Sequence, residues 1–185
     1  EAIELILLSL PWCEKIIKKI IKNIIPISIM NGTGKAGFSS IEAKGLIFLS
    51  VNKVKDQSKH EIAIDLIHEI GHTVLFTYQF ADELIQKKSR TQFVYSSIKE
   101  ENRPVIMAYH AFYALTYMKL FIGRTLSLGY LSEEQAVYMK SEFYKTSEMH
   151  FETGINLLKS NINLTFLGQK LFVECLNLKT TKEIL

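Results

Sequence analysis

Ser58-Lys59-His60-Glu61-Ile62-Ala63-Ile64-Asp65-Leu66-Ile67-His68-Glu69-Ile70-Gly71-His72 is the stretch on which the fold turns. It opens with a capping box: Ser58 is placed to cap the first turn and Glu61, three residues on, to reach back to the cap. The spacing predicts a helix from there to about Phe80. On that helix His68 and His72 stand at i and i+4, one turn apart on the same face. Two imidazoles so placed can grip one metal ion from one side.

Glu69 follows the first histidine and projects beside the remaining coordination positions. In zinc peptidases carrying the same His-Glu-x-x-His pattern, that glutamate is the general base for a metal-bound water. The expected centre is therefore a zincin-like active-site helix. Two ligands are fewer than the three a catalytic site usually takes from its protein. The extended pattern with a later histidine fails, because Leu75 and Tyr78 occupy the matching positions. Among the other histidines, His110 is the best third ligand, in the apolar setting Ala108-Tyr109-His110-Ala111-Phe112. His150 sits among Ser147, Glu148 and Glu152 and reads as part of a solvated face. Glu100, Glu101 and Glu148 are carboxylate alternatives. Asp65, three residues before His68, suits holding a ligand imidazole better than binding the ion. Arg103 either pairs locally with Glu100 or Glu101 or clamps a carboxylate near the metal.

Working outward, residues 14–25 carry isoleucines at helical spacing with lysines opposite, and Pro26 is expected to stop that helix. Residues 26–30 and 45–51 read as strands. The second is mostly apolar, as in a strand covered on both faces, and is expected to serve as the edge along which a peptide lies by strand addition. Residues 31–35 read as a turn and lack the spacing of a phosphate loop. A further strand is expected over 91–96, and helices over 104–122, 132–160 and 165–178. The fold class is α+β, mostly α, with a small sheet and several C-terminal helices.

The 185 residues fit one domain, taken as a single HExxH metalloenzyme domain over 1–185. A hydrophobic content of 48% supports a proper core, and a net charge of +3 lacks the basic stripe of a nucleic-acid binder. Two cysteines far apart, Cys13 and Cys175, fit a reducing cytoplasm rather than a disulfide framework. No apolar run reaches the ~18 residues of a membrane span. The chain starts at Glu1, as a fragment or processed piece would.

The order of these features resembles a known family. A strand ending Gly45-Leu46-Ile47-Phe48-Leu49-Ser50 is followed by His68-Glu69-Ile70-Gly71-His72. Then come Arg103-Pro104, the His110-Ala111-Phe112 segment, and a closing Leu164-Thr165-x-x-Gly168-x-x-Phe172. This is similar to the HExxH-motif peptide-modification proteins found in gene clusters for ribosomally made, modified peptides. The resemblance covers most of the chain, with the metal motif as its sharp part. It departs at residues 96–102, where the family often has an aromatic-Trp-Arg run before Arg-Pro. Members are often longer at the N-terminus, which implies that this chain is the C-terminal part of a longer protein.

Some such proteins are iron(II)- and 2-oxoglutarate-dependent hydroxylases acting on side chains of a precursor peptide. The resemblance then implies that His68, His72 and His110 hold Fe(II), that Arg103 meets a 2-oxoglutarate carboxylate, and that Glu69 is an acid/base or supporting group beside the ion. The partner is the precursor peptide, with no nucleic acid and no membrane. Imidazole suits zinc and iron alike, so a Zn metallopeptidase with Glu69 as general base is the second expectation. A non-catalytic binding or immunity module is the third.

Overall fold

The computed structural model describes residues 1–27, 37–50, 58–96 and 98–177. The expected turn at 31–35, residues 28–30 of the first expected strand, Val51 and Leu178 lie outside them. The chain begins with two short helices, α1 (Ala2–Ser9) and α2 (Cys13–Ile20). The second ends well before Pro26: Ile21 is already extended, and Asn23–Ile27 form strand β1. The run of β-branched isoleucines explains the change, since these residues suit a pleated surface better than a helix. Pro26, which has no N–H to give, is tolerated because β1 flanks the sheet. The start of the next strand holds the end of α2. Gly45 adopts φ +78°, and a Cβ there would stand 2.5 Å from the Ile20 carbonyl oxygen. Its own carbonyl accepts from the Lys22 amide at 2.8 Å.

Strands β2 (Gly37–Ser39) and β3 (Leu46–Ser50) complete a three-stranded sheet of order β1-β3-β2, with β1 parallel and β2 antiparallel to β3. The alternation of a strand sends Ile47 and Leu49 into the core and leaves Phe48 on the other face, where its ring stacks on Phe38 at 4.4 Å. Here the expectation of an edge strand at 46–50 is overturned. β3 is central, with neighbours on both sides, so it cannot accept a further strand.

Helix α3 (Lys59–Ala81) follows with its capping box formed as the sequence predicts: the Glu61 amide donates to Ser58 Oγ, and the Ser58 amide to Glu61 Oε2. A hairpin of β4 (Phe93–Ser96) and β5 (Glu101–Pro104) leads into α4 (Val105–Ser127), then α5 (Glu133–Lys159) and α6 (Phe166–Asn177). Pro104 stands at the N-cap position of α4, just before the helix begins. Ser132 and Gln135 form a second capping box at the start of α5. The fold is α+β and mostly α, as the periodicity indicates.

α4 is the axis of the helical layer, packed between α3 and α5. By length and composition it is apolar enough to cross a membrane, which the reading of the sequence did not anticipate, yet more than half of that stretch is buried inside the protein. Its apolarity is accounted for by a core that includes Tyr109, Phe112, Phe121 and Ile122, all fully buried. At the outer end of the chain, Tyr109 donates to the Gly168 carbonyl at 2.7 Å and ties α4 to α6.

Candidate metal centre

The close approach of α3 and α4 builds the site. Gly71 sits where the two helices meet, and a Cβ on it would be 3.0 Å from the Ala114 Cα and 3.4 Å from the Tyr117 ring. The contacts run antiparallel: Met118 lies opposite His68, and His110 opposite His72 and Gln79.

Nε2 of His68 and Nε2 of His72 face one another at 3.0 Å. Behind them, Nδ1 of His72 faces Nδ1 of His110 at 3.4 Å. Nε2 of His110 lies 2.8 Å from Gln79 Oε1, and the Phe76 ring packs on the His110 ring at 4.8 Å. The outer nitrogen of His68, Nδ1, lies 3.2 Å from Met118 Sδ. The structure thus brings His68, His72 and His110 together, in a row rather than around a point. Among the described residues no three His, Cys, Asp or Glu side chains converge on one position.

The row is neutral at ordinary pH. Burial pushes His68 and His110 down to about 4, with Lys99 adding to the effect at His68. Burial also drives His72 well below the usual imidazole range, and the imidazoles on both sides of it act in the same direction. A neutral imidazole keeps the lone pair that a metal requires. With bonds of roughly 2.1 Å, two nitrogens 3.0 Å apart subtend about 90° at an ion, whereas a tetrahedral angle would separate them by about 3.4 Å. The two nitrogens are thus close enough to share one ion, and 3.0 Å is equally the ordinary length of a hydrogen bond between them.

Glu69 is buried beneath the sheet. Ser39 of β2 donates its hydroxyl to Glu69 Oε2 at 2.7 Å. Gly37 lets the side chain lie close, since a Cβ there would be 3.1 Å from the Glu69 Cγ. The carboxylate is thus held between α3 and the short strand β2.

Other residues singled out from the sequence lie elsewhere. Arg103 pairs with Glu101 at 3.5 Å and points Nη2 at Met107 Sδ, 3.7 Å away. No hydrogen bond joins it to the histidines among the described residues. Asp65 does not hold His68, whose outer nitrogen faces Met118. Burial, with Glu61 and Glu142 nearby, raises the Asp65 carboxyl to about 6. Glu100, Glu101 and Glu148 are exposed. His150 is not on a solvated face: it is 6% exposed, stacks on Phe112 at 4.5 Å and bonds Thr116 through Nε2 at 3.0 Å. Glu148 and Glu152, two residues to either side, are exposed on other faces of α5.

Sequence reasoning passed over Gln79, Met118 and Ser39. Gln79 is seven residues after His72, two turns along the same face, and Met118 is eight after His110, so helical spacing was signal enough for both. Nothing local marks Ser39, whose role depends on how β2 folds over the helix. Compared with known protein families, the chain matches no family model, and it matches no curated protein sequence.

Proposed function

We propose that the protein is a metal-dependent enzyme that modifies a ribosomally made precursor peptide, as an iron(II)/2-oxoglutarate-dependent side-chain hydroxylase. The observation carrying this reading is the His68–His72 pair, whose Nε2 atoms are 3.0 Å apart on a rigid, capped helix. At that separation both imidazoles can bind one ion from one side, and imidazole suits iron and zinc alike. Two imidazoles leave positions for a chelating co-substrate and dioxygen. When bound, such an ion would couple oxidation of 2-oxoglutarate to succinate and carbon dioxide with insertion of the second dioxygen atom into a C–H bond.

On this reading the protein's own residues orient and enclose. His68 and His72 hold the ion, and the resemblance to the peptide-modification family puts His110 with them. Ser39 and Gly37 hold Glu69 against β2, and its place beside the ion is carried over from the motif. Arg103 as the group meeting a 2-oxoglutarate carboxylate rests on that resemblance alone. The peptide lies along β2, the flanking strand whose Ser39 touches Glu69. The zinc metallopeptidase remains the second reading, favoured by that buried, hydrogen-bonded Glu69 directly after a metal-binding histidine.

The test is elemental analysis of protein purified anaerobically without chelators, followed by assay of succinate formation from 2-oxoglutarate. Stoichiometric iron and succinate are expected. His68→Ala combined with His72→Ala should abolish metal binding while the helical circular dichroism signal survives. Retention of stoichiometric metal by that double variant refutes the site.

A further inference from the structure

A neutral imidazole has one N–H and one lone pair, on different nitrogens. His72 uses both sides of its ring: Nε2 faces His68 and Nδ1 faces His110. The two ring nitrogens of one imidazole point in widely divergent directions. An ion on His72 Nε2, the nitrogen that His68 Nε2 also faces, is therefore on the far side of the ring from His110 Nδ1. In this arrangement His110 stands behind His72.

The hydrogen bonds then set the protons of His110 and His72. Gln79 Oε1 is an acceptor, so His110 Nε2 carries the hydrogen that reaches it at 2.8 Å. His110 Nδ1 is thereby left as a bare lone pair. The His72 nitrogen facing it at 3.4 Å must supply the hydrogen, which leaves His72 Nε2 with the lone pair a metal needs. Phe76 holds the His110 ring in place from one side.

We propose that His110 and Gln79 are positioning residues for the metal centre rather than ligands: they hold His72 protonated on Nδ1 and so present Nε2 to the ion, leaving His68 and His72 as the only histidine ligands. This rests on the metal reading above and departs from the expectation, drawn from sequence and family resemblance, that His110 is the third ligand. Outer partners of ligand histidines orient the ring, fix its tautomer and raise its basicity, and losing one typically costs roughly 10–100-fold in metal affinity.

The experiment uses Cu(II) as a spectroscopic probe on the full chain, with histidine labelled with nitrogen-15. Pulsed electron paramagnetic resonance counts the coordinated imidazoles, and competition titration gives affinity. Wild type should show two imidazoles. His110→Ala should still show two, with affinity lower by roughly 10–100-fold. His110→Asn, which retains a hydrogen-bond acceptor, should recover part of that loss. Gln79→Leu, at a partly exposed position on the last turns of α3, should weaken binding without changing the count, and it covers the case in which the His110 variants misfold. Three imidazoles in wild type and two in His110→Ala overturn the proposal while leaving the metal site intact. Failure of wild type to bind the ion at His68 and His72 overturns the metal reading and the proposal together.

Discussion

Gly71 packs against Ala114 so closely that an added Cβ would lie 3.0 Å from the Ala114 Cα. This contact sits one residue before His72 and one turn after His110, counted along their respective helices, and it sets how near the two imidazoles come. Gly71→Ala should therefore act on stability and metal binding together. Helix propensity alone would favour alanine by about 1 kcal/mol, but overpacking against backbone costs typically ~1–3 kcal/mol. The expected outcome is a net loss of stability in urea unfolding and weaker metal binding. Because the obstacle is a Cα, Ala114→Gly should fail to rescue it. A Gly71→Ala protein with raised stability and unchanged metal affinity would show that the helices are free to part.

Ser39 ties the three-stranded sheet to α3 through Glu69. A hydrogen bond to a charged group contributes roughly 1.5–3 kcal/mol. Ser39→Ala should lower stability by about that amount or less, since Glu69 has further interactions, and should reduce turnover by letting the carboxylate shift. Ser39→Thr, which keeps the hydroxyl, should behave nearly as wild type. Chemical denaturation of the three proteins side by side checks the first claim. Equal stability of the alanine variant would remove Ser39 from the account.

These two contacts mark the division between what is legible in the sequence and what is not. The capped helix, the facing histidines and the mostly α class follow from local rules, because capping and 3.6-residue spacing act within one segment. Tertiary pairing is a different matter. The isoleucines of residues 21–27 fit helix and strand alike, and only the parallel partner Leu46–Ser50 makes them a strand. The central place of β3 depends on Gly37–Ser39, a strand of three residues too short to show any period. His150 shows a similar limit: Glu148 and Glu152, two residues to either side, face other ways on a helix, and Phe112 and Thr116 of α4 decide its surroundings.

His150 makes acid sensitivity testable away from the candidate metal centre. Burial and nearby Lys119 push its imidazole down to about 4. Thr116 Oγ1 gives its hydrogen to the Phe112 carbonyl, so it accepts from His150 Nε2–H, and a second proton on the ring would have to go to Nδ1. The folded state thus binds the proton less well than the unfolded chain, whose imidazole titrates near 6.5. The unfolded state takes up more protons between those values, so stability is full above about 6.5, falls as the pH drops, and is lost completely from this source below about 4. The amount is at most roughly 3 kcal/mol. His150→Gln can still bond Thr116 but cannot titrate, so its stability should fall less steeply over this window. The other buried histidines contribute with the same sign, so the comparison is variant against wild type, both with chelator present. Identical acid slopes would mean that His150 is not the buried neutral group described.

The chemistry itself turns on Glu69. In a hydrolase this carboxylate takes the proton from a metal-bound water, and removing such a general base typically costs ~10²–10⁴-fold in rate. A hydroxylase draws its oxidising power from dioxygen and 2-oxoglutarate and needs no water-activating base. Glu69→Gln separates the cases cleanly, because the amide oxygen can still accept from Ser39, so the charge changes while the anchoring contact is kept. Under the proposed reading the variant retains 2-oxoglutarate-dependent succinate formation, and a candidate peptide treated with wild type gains one oxygen atom and remains uncut. Mass spectrometry of the peptide and quantitation of succinate read both. Peptide fragments appearing with zinc, without 2-oxoglutarate, and vanishing in Glu69→Gln would instead establish Glu69 as the base of a metallopeptidase.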